Sequence, residues 1–130
     1  MFKRFIIAAL ILSACSTQQA QQSSTESLLN VSATQTLISK EPQLVLLDVR
    51  TPEEFNEGHL TKAQNIDFKN TNFAEQISKL DPNQHYLLYC ASGRRSAEAK
   101  TLMASKGFKH LYELQGGIAA WSSQGAPVEK

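Results

Sequence analysis

The sequence predicts an α/β domain arranged around a mostly parallel sheet, and three observations point there. Apolar runs of strand length alternate with segments of helical periodicity, two of the runs are hydrophobic almost without interruption, and capping and breaking residues punctuate the segments between them. A chain of 130 residues with 42% hydrophobic side chains supports one core and is too short for two ordinary domains.

Residues 1–14 read as an address. Lys3 and Arg4 precede an eight-residue apolar run, residues 5–12, which is closed by the small residues Ser13 and Ala14. This is the shape of a secretory signal peptide. At about 1.5 Å per residue the run covers only about 12 Å, far short of the roughly 30 Å hydrocarbon core, so it does not span a bilayer. Leu12-Ser13-Ala14-Cys15 resembles the lipobox of bacterial lipoproteins, and that resemblance implies cleavage before Cys15 and lipidation of its sulfur and amino group. Ser16, where an Asp would retain the protein, resembles the outer-membrane sorting pattern of Gram-negative lipoproteins. The expectation is a protein of the bacterial cell envelope, held to a membrane, the outer one on this pattern, through Cys15 and facing the periplasm.

Residues 15–29 read as the attachment cysteine and a flexible tether. Ten of the twelve residues 16–27 are Ser, Thr or Gln, and none is aromatic or a β-branched hydrocarbon. Thirteen basic against twelve acidic side chains give a formal charge of +1, and loss of Lys3 and Arg4 with the leader turns it to −1. No polybasic patch remains to grip an anionic membrane, and no basic excess points to nucleic acid.

Residues 30–130 make the folded domain. Four segments read as strands: 44–49, 63–67, 85–90 and 110–114. The first and third are nearly continuous apolar runs, as in strands covered on both faces. Ser32-Ala-Thr-Gln35 and Thr51-Pro-Glu-Glu54 both fit a capping box, the second with Pro52 at the first helical position. Phe73, Ile77 and Leu80 share one face of a helix that stops at Asp81-Pro82-Asn83. A further helix over residues 96–106 ends at Gly107, with Phe108 placed to fold back on Met103. Gly116 and Gly117 form a turn into a last helix that carries Trp121, a core residue able to shape one wall of a site. In a parallel sheet, ligands sit outside the carboxyl ends of the strands, where Asp48 and Cys90 fall.

Cys90-Ala91-Ser92-Gly93-Arg94-Arg95-Ser96 carries the chemistry. A cysteine that ends a buried strand, before a glycine-bearing loop and a helix, places its sulfur where backbone N–H groups converge on an anion. Two nearby arginines add positive charge, so the thiol should ionise below its reference value of about 8.5 and act as a nucleophile. Arg94 reads as an outward-facing cation, and Arg95 as a bracket bonded to loop carbonyls or to a neighbouring carboxylate. Asp48 and Arg50 are supporting candidates at the site, with a turn and a local ion pair to Glu53 or Glu54 as their simpler role. His59 reads as a structural hydrogen-bonding residue, since displacement by a preformed thiolate abstracts no proton. His85 and His110 head strands without metal-ligand spacing, so neither a metal nor a cofactor is expected. With Cys15 lipidated, Cys90 is the one remaining thiol.

The segment 90–96 resembles the active-site loop of single-domain rhodaneses, whose common form is Cys-x-x-Gly-x-Arg-Ser. Asp48-Val-Arg-Thr-Pro-Glu-Glu-Phe55, Gly58-His-Leu60 and Leu114-Gln-Gly-Gly-Ile-Ala-Ala-Trp121 agree with the family in order and spacing. The likeness covers residues 30–128, and its envelope leader makes it similar to phage-shock protein E-like periplasmic rhodaneses. It implies a three-layer sandwich with a central sheet of about five strands. It also implies sulfurtransferase activity, in which Cys90 takes the outer sulfur of a donor such as thiosulfate or polysulfide and passes it from a persulfide to cyanide or a thiol. The N–H groups of residues 91–96 would hold the persulfide anion. Ala91 and Ser92 stand where some members carry basic residues, which weakens the expected grip on thiosulfate. Two other readings stay open: a noncatalytic binding module or persulfide carrier on the same fold, and a cysteine phosphatase. Phosphatase loops place Arg six residues after Cys, a position held here by Ser96.

Overall fold

A computed structural model describes residues 27–130; the leader, Cys15 and the tether up to residue 26 lie outside the described residues. The elements run β1 (Leu28–Leu29), α1 (Val31–Lys40), β2 (Val45–Asp48), α2 (Pro52–Glu57), β3 (His59–Leu60), β4 (Gln64–Asn65), α3 (Phe73–Ser78), β5 (His85–Tyr89), α4 (Arg94–Ser105), β6 (His110–Leu114), α5 (Gly117–Ser123) and β7 (Val128–Glu129). Five strands form one sheet in the order β1-β6-β5-β2-β4, and every pairing in it is parallel. The α/β class and the five-stranded central sheet flanked by helices are as expected.

The continuous apolar runs explain the layering. In β2 and β5, Leu46 and Leu47 lie opposite Leu87 and Leu88, so each strand sends hydrocarbon to both faces. On one face Leu47, Val49, Leu88 and Cys90 pack with Phe73 and Ile77 of α3 and with Ala99 and Met103 of α4. On the other, Leu46, Leu87, Tyr89 and Leu114 meet Val31 of α1 and Trp121 of α5. Trp121 therefore belongs to the core on the face away from Cys90. It donates its indole N–H to the Pro127 carbonyl (2.9 Å) and is not a wall of the cysteine site.

Local signals differ from the structure in four places. The Asn30 side chain caps α1, accepting the Ala33 N–H at 2.8 Å, because the chain turns directly out of β1; Ser32 already lies inside the helix. The α4 helix begins at Arg94, two residues before the expected start, since Gly93 at φ +118° turns the chain into it. The strand expected over 63–67 shrinks to Gln64–Asn65. Leu28 and Leu29, assigned to the tether, pair in parallel with Glu113 and Leu114 as the sheet's edge strand.

Other signals hold. Thr51 closes a complete capping box with Glu54. The α4 helix ends in a Schellman arrangement, with the Phe108 N–H on the Met103 carbonyl (3.2 Å) and the Gly107 N–H on the Ala104 carbonyl (3.1 Å). Gly107 takes φ +92° there, a value that explains glycine at the position.

Candidate active site

Cys90 follows the last residue of β5, the middle strand of the sheet, and its residue is 1% exposed. The loop that follows curls around the sulfur. The Gly93 N–H donates to Sγ at 3.0 Å, and the N–H groups of Ser92 and Ser96 face it as well. The Ser96 hydroxyl lies 3.5 Å from Sγ. Burial works against ionisation of this thiol, but the hydrogen bonds from the Ser96 side chain and from the N–H groups of Ser96, Gly93 and Ser92 outweigh it. The pKa of Cys90 is thereby held below the ordinary thiol value.

The loop is supported from beneath by the start of α5. The Ile118 N–H donates to the Cys90 carbonyl (2.9 Å) and the Ala119 N–H to the Ala91 carbonyl (3.1 Å). This contact requires glycine at position 117, because a Cβ there would lie 2.4 Å from the Cys90 oxygen and 2.6 Å from the Ala91 oxygen. With those carbonyls drawn to α5, the opposite edges of the peptides, their N–H groups, are left for the sulfur.

The two arginines part company. Arg95 forms a two-pronged pair with Glu54, Nη1 to Oε2 at 2.8 Å and Nη2 to Oε1 at 2.9 Å, so it brackets the loop to α2. Its hydrogen bonds hold the Glu54 carboxyl down at about 2. Arg94 is exposed, with only a 3.6 Å contact to Glu98 one helical turn on. With Phe68, Lys69 and Glu98 it lines an open cavity of about 440 Å³ that reaches Cys90 and Ser92.

Asp48 and Arg50 are buried and bonded to each other, Nη2 to Oδ2 at 2.6 Å and Nε to Oδ1 at 3.0 Å. Arg50 also donates to the Gly58 carbonyl (2.7 Å) and stacks its guanidinium 5.8 Å from the Tyr89 ring centroid. Their hydrogen bonds among the described residues thus tie β2 to β3 and do not reach residues 90–96; the expected pairing of Arg50 with Glu53 or Glu54 does not form, because Arg95 holds Glu54. His59 stacks on Phe55 at 3.7 Å and bonds the Phe55 carbonyl through Nδ1 (3.0 Å), a structural histidine. His85 and His110 stack at 4.2 Å at the amino ends of β5 and β6, where Glu41 reaches His85 at 2.9 Å.

Sequence reasoning missed the Arg95 partner Glu54, the cavity-lining residues Phe68 and Lys69, and Glu113. Glu113 is 6% exposed and accepts the Ser96 hydroxyl at 2.9 Å. A signal for it existed: in β6 it occupies the same face as Leu111, which packs partly buried against the core, a position where a carboxylate is out of place.

Fold and site together define an α/β domain that presents a cysteine at the carboxyl end of its central strand, in a loop whose N–H groups face the sulfur. The chain belongs to the rhodanese-like domain family, whose model matches residues 30–124. It is 37% identical over 93 residues to thiosulfate sulfurtransferase 16 of Arabidopsis thaliana chloroplasts, covering 64% of this chain and 78% of that one. It is 36% identical over 111 residues to thiosulfate sulfurtransferase 18 of the same plant, covering 76% and 80%. With the probable adenylyltransferase/sulfurtransferase MoeZ of Mycobacterium tuberculosis it shares 41% identity over 85 residues, which is 65% of this chain but only 22% of MoeZ. Among solved structures, the rhodanese-like domain of Alr3790 from Anabaena superposes with a TM-score of 0.71 at 30% identity, covering 80% of this chain and 79% of that one. A rhodanese-related protein of Thermoplasma volcanium gives 0.67 at 27%, covering 78% and 95%.

Proposed function

We propose that this protein is a thiosulfate-type sulfurtransferase that carries sulfane sulfur as a persulfide on Cys90. The carrying observation is a thiol at the end of β5 whose sulfur faces three backbone N–H groups and opens to solvent through a cavity. In the first step the Cys90 thiolate attacks the outer sulfur of the donor. A new S–S bond forms, the donor's own bond to that sulfur breaks, and its electron pair leaves on sulfite when the donor is thiosulfate. In the second step cyanide or a thiolate attacks the terminal sulfur, and the electron pair returns to Cys90. The N–H groups of Ser92, Gly93 and Ser96 stabilise the anion at both stages, and exposed Arg94 draws in the anionic donor. With Ala91 and Ser92 supplying no cation, polysulfide or an organic persulfide serves at least as well as thiosulfate.

Arg95 argues against phosphatase chemistry. Its guanidinium is spent on Glu54, and the position where a phosphate-binding Arg would stand is Ser96. In the same reading Cys15 bears lipid, residues 16–27 tether the domain to an envelope membrane, and the protein is a relative of phage-shock protein E-like periplasmic rhodaneses.

Incubation of the purified domain with thiosulfate or polysulfide should add one sulfur atom to the intact mass, and later cyanide or thiol should remove it. Cys90→Ser should gain none. A wild type that never gains sulfur sinks the catalytic reading, while one that loads without onward transfer identifies a persulfide carrier. For the anchor, a fatty-acid analogue should label cells making wild type and spare Cys15→Ser; equal labelling refutes it.

A further inference from the structure

Ser96 is fully buried and has one hydroxyl proton, yet three acceptors surround its Oγ. Glu113 Oε1 lies at 2.9 Å, the Gly93 carbonyl at 3.1 Å and Cys90 Sγ at 3.5 Å. The carboxylate is both the nearest acceptor and the one that forms a charge-assisted bond. The hydroxyl bond that favours the Cys90 thiolate and the bond to Glu113 therefore draw on the same single proton, and whenever Glu113 holds it a lone pair of Ser96 faces the sulfur, an arrangement that suits a protonated thiol and opposes a thiolate.

We propose that Glu113 is a positioning residue for the nucleophile: by competing for the Ser96 proton, it weakens the hydrogen bond that the Ser96 hydroxyl gives the free Cys90 thiolate. Other charged groups lie around the site. Arg95 of α4 feels Cys90, Asp48 of β2 and Glu54 of α2 act on Arg95, Lys69, Arg94 and Glu98 line the cavity, and Lys100 of α4 bonds the Ser27 hydroxyl beside β1. Among the described residues only Glu113 connects to the sulfur through a single shared hydroxyl.

The consequence for sulfur transfer rests on the persulfide reading. A terminal sulfur would stand about 2 Å beyond Sγ, held by loop N–H groups and not by the Ser96 hydroxyl. Glu113 then penalises the free thiolate more than the persulfide. Cys90 becomes a poorer leaving group when an acceptor attacks the terminal sulfur, and the loaded state persists longer.

The test measures the thiol and needs no sulfur donor. Iodoacetamide alkylation of Cys90 is followed against pH in wild type, Glu113→Gln and Glu113→Met, the last filling the same space without a polar group. Near about pH 6 both variants should react roughly threefold to tenfold faster than wild type, one pKa unit being a tenfold change in thiolate fraction. Rates equal to or below wild type overturn the proposal. The gain should vanish when Ser96 is also Ala, and a gain of undiminished size in that background overturns the route through Ser96. Should neither variant fold, carbon-13 NMR of the Glu113 carboxyl in wild type should show a step at the pH where Cys90 ionises, absent from Cys90→Ser; no step overturns it. A positive alkylation result with no sulfur loading would refute the sulfurtransferase reading and leave this one standing.

Discussion

Glu54 accepts the Thr51 N–H that closes the α2 capping box (2.9 Å) and, with the same carboxylate, both terminal nitrogens of Arg95. One side chain therefore sets a helix start and pins the start of α4, which follows the cysteine loop. Its carboxyl lies at about 2 against an ordinary value of 4.5, chiefly through the Arg95 hydrogen bonds. A group whose pKa is depressed by folding stabilises fully above its unfolded value and loses that contribution as pH falls through the folded one. The melting temperature should accordingly drop between pH 4.5 and about 2. Glu54→Gln should start lower at neutral pH and show a flatter acid limb; an unchanged acid limb would contradict the assignment. Cys90 was legible because its loop is contiguous in sequence. Glu54 and Glu113 were not, since each meets its partner across 41 and 17 residues, distances at which no local pattern operates.

At the level of elements, the contact between α5 and the cysteine loop decides the site's shape. Gly117 sits at φ +58° with two loop carbonyls inside the volume a methyl group would occupy. Gly117→Ala should cost about 1–3 kcal/mol through overpacking and strain, and should slow sulfur loading by pushing Cys90 and Ala91 out of register with the N–H donors. Thermal denaturation alongside loading rates checks both; a variant of normal stability and rate would show that the loop does not rest on α5. The sequence announced a turn at Gly116-Gly117 through the dipeptide alone. That the turn also buttresses the cysteine loop depends on residues 28 apart in number, Cys90 with Ile118 and Ala91 with Ala119, meeting in space, which turn chemistry does not encode. The capping box of α2 was readable because both partners lie within four residues, whereas the true cap of α1, Asn30, was hidden behind an equally good Ser at position 32.

For the molecule as a whole, hydrophobic continuity made the central strands legible, while the two-residue strands β1, β3 and β7 carried too little pattern to be seen. β1 pairs only Leu28 and Leu29 with β6, and β3 pairs with β7 in a separate antiparallel ribbon that ties Leu60 to Val128 near the carboxyl terminus. The edge strand nonetheless matters for the domain boundary. The Glu113 N–H donates to the Ser27 carbonyl (2.6 Å) and the Gln115 N–H to the Leu29 carbonyl (2.7 Å). A chain starting at Asn30 should therefore be less stable than one starting at Ser27, by about 2 kcal/mol at roughly one per backbone hydrogen bond. Urea denaturation midpoints of the two compare them directly, and equal midpoints would place the edge strand outside the cooperative unit.

That same edge gives the domain a mechanical order of failure. A pull on the chain from its amino-terminal side loads the few hydrogen bonds of β1 before any other strand, while the three inner strands share longer ladders and two packed faces. Tension would peel Ser27, Leu28 and Leu29 from β6 as a fuse, releasing slack and passing the load next to α1, whose Val31 packs on the sheet face away from the nucleophile.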